Sequence, residues 1–386
     1  MAMNPRATTE KIRTDYQDYL SSILTVRDSE LTSQAQQCVR KGQFVKGPYL
    51  ETTLPFENSK SLKDLVEEGL LSPEFSKMGG ALHYSDWKLR KHQEIALRKY
   101  VEGHNIIVST GTGSGKTECY LYPVFDALMK EKEAGTLGPG VRALLLFPMN
   151  ALANDQQKKL RKLLHDYPDI TFGRYTGETP HKVQSETPDE AERRLHNQYE
   201  LKHSTDADPL LRTALPNEYM SREAMIAHPP HILLTNYAML EYLLLQPDTA
   251  PFFDTEFAAH WEFLVLDEAH TYKGAAGTEI AFLLRRLKER IRVHMQGNFH
   301  CIATSATLGS EDAKEGLAQF AQKLFGEPFR AEDVVTSHRI HPQIPDGARL
   351  LSPDRYHALN EETRDLPEEE RGKRLYEGLR QDTRLY

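Results

Sequence analysis

Short apolar runs bounded by polar residues recur through the middle of the chain. Six of them read as strands: Ile106 to Val108, Ala143 to Phe147, Ile170 to Phe172, Ile232 to Leu234, Phe263 to Leu266 and Cys301 to Ala303. Helical stretches separate most of them, and that alternation predicts an α/β fold, a parallel sheet with helices on both faces. Upstream, Ile12, Tyr16, Tyr19, Leu20 and Ile23 recur at helical spacing between Thr8 and Leu24. Turns at Lys46-Gly47-Pro48 and Leu54-Pro55 follow, then a second helix from Ser61 to Glu68, so residues 1–80 read as a small, mainly helical accessory region. The α/β domain is expected over 81–330. Within it the polar stretch 178–230, charge-rich from Glu190 to Lys202 and punctuated by Pro209, Pro216 and Pro229-Pro230, reads as a partly helical surface insertion. Phe320 to Phe329 is expected to close the domain, and 331–386 to form a C-terminal extension.

Composition narrows the classes. With 386 residues, 39% hydrophobic and 27% charged, the chain is long enough for one large or two modest domains of roughly 100 to 200 residues. A formal charge of −8 excludes a cationic field over the whole surface, so any nucleic-acid contact must use local patches. Two candidates are Lys158, Lys159, Arg161 and Lys162, and Arg285, Arg286, Lys288, Arg290 and Arg292. Each could attract a phosphate backbone or be a solvated helix face, and Leu160, Leu163, Leu164, Leu287 and Ile291 give the same helices buried sides. Cys38, Cys119 and Cys301 form no Cys-x-x-Cys pair, which suits a reducing, cytoplasmic location and offers zinc no spacing. His228 and His231 flank prolines before a strand and read as structural. No signal-peptide core and no run of about 18 apolar residues occurs, so no membrane partner is expected.

The chemistry begins at Ser109-Thr110-Gly111-Thr112-Gly113-Ser114-Gly115-Lys116-Thr117. It follows the strand Asn105 to Val108 and precedes a helix from Glu118 to Met129. Three glycines let backbone N–H groups close around a polyphosphate, Lys116 adds a point charge, and the Thr117 hydroxyl can hold Mg2+. The general pattern has Gly or Ala where this chain has Thr110. A nucleoside triphosphate, ATP, is the expected ligand. The second half is Asp267-Glu268-Ala269-His270, at the exit of the apolar run Phe263 to Leu266. Asp267 would accept magnesium, and Glu268 would orient and deprotonate the attacking water. Alone, this tetrapeptide reads equally well as a strand end opening a helix; the cradle upstream supplies its context.

Motif order adds a family. Gln93 stands ahead of the cradle, and after it come Phe147-Pro148-Met149-Asn150-Ala151-Leu152-Ala153-Asn154-Asp155-Gln156, Thr176-Gly177, Leu234-Thr235-Asn236-Tyr237, the acid motif and Ser305-Ala306-Thr307. This set resembles the first RecA-like lobe of superfamily 2 DEAH-box helicases, P-loop NTPases, over roughly residues 81–310. The cradle, Leu234 to Tyr242 and Asp267 to Gly277 are similar to RecQ-like, MrfA/YprA-type DNA helicases, and equally to the large anti-phage helicases of Druantia and DISARM type. The resemblance implies adenine recognition by Gln93, triphosphate binding by Thr110, Gly111, Thr112, Gly113, Ser114, Gly115, Lys116 and Thr117, and hydrolysis at Asp267 and Glu268. It implies coupling through His270, Ser305 and Thr307. Pro148, Asn150, Ala151, Thr176, Gly177, Thr235 and Asn236 would line a strand-tracking face that holds sugar and phosphate without reading sequence. DNA is favoured over RNA by the resemblance alone.

Such enzymes close the ATP site with arginines from a second RecA-like lobe. Only 79 residues follow Thr307, against the roughly 100 such a domain needs, and Glu370 to Arg374 reads as a solvated helix. The expectation is the amino-terminal part of a larger or split helicase or translocase, its second lobe in cis or in trans, within a defence complex. The alternative is a nucleotide-dependent DNA-binding or scaffold module without unwinding activity.

Overall fold

The computed structural model describes residues 5–24, 27–42, 54–79, 82–295, 297, 299–306, 313–340, 349–364, 366–380 and 382. The chain divides into two compact units, Met1–Leu54 and Pro55–Tyr386. In the first, α1 (Pro5–Ile23) matches the helical spacing, and α2 (Ser29–Lys41) starts where the Asp28 carboxylate accepts from the Glu30 and Leu31 amides.

The second unit opens with β1 (Asn58–Ser61) and α3 (Leu62–Glu67), joined by a reciprocal cap between Ser61 and Asp64. β1 pairs antiparallel with β2 (Lys88–Arg90). Leu62, Leu65, Leu71 and Phe75 are buried in the same cluster as Phe125 and Leu128, so this segment is part of the α/β body. α4 (Lys91–Val101) then leads to β3 (Ile106–Ser109), α5 (Glu118–Glu133), β4 (Ala143–Phe147), α6 (Asn150–Leu164) and β5 (Phe172–Arg174). The insertion supplies α7 (Pro188–His203), β6 (Glu218–Tyr219) and α8 (Arg222–Ala227). The domain continues with β7 (Ile232–Asn236), α9 (Tyr237–Leu245), β8 (Phe263–Leu266), α10 (Gly274–Arg292), β9 (His300–Ser305), α11 (Lys314–Phe325) and β10 (Val334–Thr336).

The eight strands β3 to β10 form one sheet in the order β10-β3-β9-β8-β4-β7-β5-β6, and every neighbouring pair is parallel. All six expected strands occur. Both faces are apolar because successive side chains alternate: Ile106 and Val108 meet the core shared with Leu97, Phe125 and Leu160, whereas Ile107 meets Leu284, Leu287 and Phe325. The fifth strand starts at Phe172 rather than Ile170, whose side chain is buried ahead of it. Two short edge strands escape the apolar pattern: β6 carries Glu218, buried only because Arg161 pairs with it, and β10 lies beyond residue 330. Phe325 and Phe329 stack at 5.5 Å in the core. Last come α12 (Pro353–Thr363) and α13 (Glu368–Leu379), the latter containing Glu370 to Arg374. Among the described residues no helix is long and apolar enough to cross a membrane.

Candidate nucleotide-binding site

Parallel strands bring their carboxyl ends to one edge, and the two separated motifs meet there. β3 and β8 flank β9, so the cradle after Ser109 and the acids after Leu266 lie one strand apart. Lys116 Nζ is 3.5 Å from Glu268 Oε1 and 3.4 Å from the Thr110 carbonyl. Both contacts sit at the outer limit of hydrogen bonding, which leaves the ammonium available to a phosphate.

The cradle is braced from behind. Gly113 and Gly115 take φ of +69° and +79°, conformations that L side chains rarely adopt. Three successive carbonyls are held by side chains at the start of α4: Arg90 Nη1 donates to Gly113 O at 2.7 Å, the His92 ring Nε2 lies 2.8 Å from Ser114 O, and Gln93 Nε2 donates to Gly115 O at 3.0 Å. Pinning the carbonyls outward turns the loop amides inward. Burial pushes His92 down to about 4, so its ring is neutral near pH 7 and the Nε2 proton can be donated. Thr110, the departure from the general pattern, is buried with its hydroxyl 2.5 Å from that of Ser114. Its amide donates to Ser305 O at 3.1 Å, tying the cradle to the end of β9. Beside the loop lies a cleft of about 430 Å³ whose lining includes Gln93, His83 and Trp87; the last two rings stack at 4.2 Å.

The acids occupy different surroundings. Asp267 is buried and accepts from the Thr304 hydroxyl and from the Glu268 amide at 3.1 Å. Burial raises its pKa, aided by the Glu268 charge and opposed by the Thr304 hydrogen bond and Lys116. Glu268 has φ +50°, and its Oε2 lies 3.2 Å from His270 Nδ1. That ring nitrogen is also 3.5 Å from the Ala306 amide, which places His270 between the acids and the segment after Ser305. Thr307 lies outside the described residues.

The expected strand-tracking residues gather at the exits of β4, β5 and β7. Asn236 Nδ2 donates to Asn150 Oδ1 at 2.7 Å, and Asn150 Nδ2 to Glu178 at 3.2 Å. Pro148 and Ala151 flank Asn150 at the start of α6. The hydroxyls of Thr176 and Thr235 are committed inside: Thr235 donates to Tyr175 O at 2.7 Å, and Thr176 accepts from Arg174 at 2.7 Å. Arg222 holds the carbonyls of Thr176 and Gly177 at 3.0 and 3.3 Å.

The basic clusters are largely spent on carboxylates. Lys159 pairs with Glu118, Arg161 with Glu218 and Lys162 with Asp208. Arg286 pairs with Glu241, Lys288 and Arg292 with Glu327, and Arg290 with Asp254. Four contacts to the site escape sequence reasoning: Arg90 and His92 on the cradle, Thr304 on Asp267, and Gln156, whose Nε2 is 3.4 Å from the Thr117 hydroxyl. Gln156 closes a recognised motif segment and Thr304 directly precedes Ser305-Ala306-Thr307; nothing in the residue pattern marks Arg90 or His92.

A family model for the DEAD/DEAH box helicase matches residues 90–198 and 190–315. Druantia protein DruE of Escherichia coli (strain UMEA 4076-1) is 29% identical over an alignment of 397 residues, which takes in 83% of this chain and 21% of that protein. The uncharacterized ATP-dependent helicase YprA of Bacillus subtilis (strain 168) is 28% identical over 247 residues, 64% of this chain and 26% of that one. ATP-dependent helicase hrq1 of Schizosaccharomyces pombe (strain 972) is 27% identical over 242 residues, 62% and 18% respectively. The chain thus spans about a fifth to a quarter of the length of these curated relatives. Among solved structures, the DUF1998 helicase MrfA bound to DNA and AMPPNP superposes with a TM-score of 0.50 at 22% identity, covering 81% of this chain and 36% of that one, a likeness of fold.

Proposed function

The chain belongs to the DEAD/DEAH box helicase family, and from that premise we propose that it supplies the first RecA-like, ATP-binding lobe of an ATP-driven DNA helicase or translocase. In this reading 81–330 is the lobe, 178–230 its surface insertion, 1–80 an accessory region whose segment from Leu62 to Phe75 packs into the lobe's core, and 331–386 an extension leading towards a second lobe in cis or in trans. The observation that carries it is the approach of Lys116 to Glu268 across 152 positions of sequence.

The donor set fits magnesium and a triphosphate: Thr117 and Asp267 offer the oxygen ligands that a hard cation prefers, and the cradle offers amides and an ammonium. When bound, the ion neutralises charge on the phosphate oxygens. Thr110 to Thr117 would hold the phosphates, with Lys116 as their point charge, and Gln93 would meet the adenine. Glu268 would take the proton from the attacking water, its carboxylate held between Lys116 and His270. His270, Ser305 and Thr307 would couple that event to movement, and Pro148, Asn150, Ala151, Thr176, Gly177, Thr235 and Asn236 would face the strand. The likeness to DruE supports a place in an antiviral defence complex, and MrfA, which was solved with DNA, supports DNA over RNA.

The test is ATP turnover of the chain together with a second lobe, measured with single-stranded DNA, duplex DNA and RNA, using Lys116→Ala and Glu268→Gln as controls. The proposal expects both substitutions to abolish turnover and DNA to stimulate more than RNA. Turnover left intact by Lys116→Ala would contradict it.

A further inference from the structure

Most of the cations on α6 and α10 have carboxylate partners, and that makes the remainder informative. Lys273, ahead of α10, Arg285 on α10 and Lys323 on α11 pair with no carboxylate among the described residues. All three line one groove of about 410 Å³ between α10 and α11. Its walls are otherwise mostly apolar, with Ala281, Phe282, Phe320 and Leu324 beside Tyr272 and Thr278.

Phe282 stands 58% exposed, with the Arg285 guanidinium 5.5 Å from its ring centre. A phenyl ring left in water between cations offers a flat apolar face flanked by positive charge. That is the combination by which single strands are held, bases stacking on aromatic rings while cations track phosphates. An amphipathic helix also beds its apolar face in such a groove, but three cations around the exposed ring favour a polyanion that carries aromatic bases. The groove also begins at the acid motif. Gly274 has φ +61°, and a Cβ at Gly277 would come within 2.6 Å of the Tyr272 carbonyl; these glycines let α10 start directly after the turn Ala269–Thr271. Tyr272 and Lys273 therefore join Glu268 and His270 to the groove in one short segment.

We propose that the α10–α11 groove binds single-stranded nucleic acid, with a base stacked on Phe282 and phosphates met by Lys273, Arg285 and Lys323. This rests on the reading of the chain as part of a nucleic-acid-dependent ATPase, and it adds a contact outside the face formed by Asn150 and Asn236.

The experiment is fluorescence anisotropy of a labelled oligothymidylate of about 12 nucleotides, titrated with the full chain at roughly 50 to 200 mM salt. Wild type is compared with Phe282→Ala, with the double variant Arg285→Ala/Lys323→Ala, and with Asn150→Ala/Asn236→Ala. A fluorescent ATP analogue reports that each variant retains its fold. Phe282→Ala is expected to weaken binding about 5-fold or more, and the double variant to lower the salt slope by about 1.4, two phosphates at roughly 0.7 each. Photocrosslinking of an iododeoxyuridine-substituted strand is expected to label Phe282. Wild-type affinity and slope in both groove variants would overturn the proposal, and if Asn150→Ala/Asn236→Ala still weakened binding, the helicase reading would stand without it. Polyglutamate displacing the strand from wild type but not from the double variant, with Phe282→Ala inert, would assign the groove to an acidic polypeptide and overturn it also. A wild-type chain that held no strand at all would remove both.

Discussion

Asp267 and Glu268 are adjacent in sequence yet differ in surroundings, and that difference suits the separate roles proposed for them. Asp267 is buried and fixed by Thr304, which holds one carboxylate in place for the magnesium ion proposed there. Glu268 adopts a left-handed backbone, an arrangement that costs on the order of 1 kcal/mol or more outside glycine, and points its carboxylate at Lys116. Glu268→Gln keeps the shape but not the base. It is expected to hold an ATP analogue within about 3-fold of wild type while turnover falls roughly 100-fold or more, measured by phosphate release; equal losses in both would instead make Glu268 a binding residue. The acids and the cradle were legible because each motif is contiguous. Arg90 and His92 were not, because a helix-start side chain bracing a loop carbonyl over 20 positions away is set by tertiary packing. The His92 ring makes the bracing of the cradle testable by pH. Its pKa is lowered to about 4 against about 6.5 when unfolded, so the unfolded chain binds the extra proton. Its contribution to stability is complete above about pH 6.5 and is lost as pH falls through about 4. Urea denaturation at pH 7 and 4.5 is expected to show His92→Gln losing on the order of 2 kcal/mol less than wild type over that interval. Parallel losses would show that the ring is not held neutral.

Among the elements, six strands were readable from continuous apolar runs, since strands buried on both faces carry no polar positions. The polarity of the insertion marks it as surface, and its strand β6 escapes the apolar pattern because its buried residue is a glutamate. Arg161 donates to Glu218 at 2.6 and 2.7 Å, both side chains are at most 9% exposed, and the Arg161 guanidinium lies 3.9 Å from the Tyr199 ring centre. This pair fastens α6, which opens with Asn150, to the insertion. Glu218→Ala strands a buried guanidinium and is expected to cost about 3–5 kcal/mol in urea denaturation, whereas Arg161→Met/Glu218→Leu should recover most of that loss. A double variant as unstable as the single would mean that the charges themselves hold the edge strand.

For the molecule as a whole, a −8 chain whose basic helices are mostly neutralised by its own carboxylates has little cationic surface to spend. On the proposed reading, strand binding falls to backbone groups, the Asn150 and Asn236 pair, and cations such as Lys273, Arg285 and Lys323 that pair with no carboxylate among the described residues. The transition-state charge in this family is met by arginines of a second lobe. Residues 1–386 by themselves are therefore expected to show slow ATP turnover with less than about 3-fold stimulation by single-stranded DNA, and addition of a protein carrying the second lobe should raise it by about 10³-fold or more. Brisk stimulated turnover by residues 1–386 alone would contradict the two-lobe requirement.

In the proposed site the glycine cradle and the acid pair converge on one magnesium-bound ATP. Titration of a fluorescent ATP analogue, with and without magnesium, into wild type, Lys116→Ala and Asp267→Asn tests it most directly. Expected are saturable, magnesium-enhanced binding to wild type, a loss of about 10-fold or more in Lys116→Ala, and no enhancement by magnesium in Asp267→Asn. Wild-type affinity and wild-type magnesium dependence in both variants would contradict it.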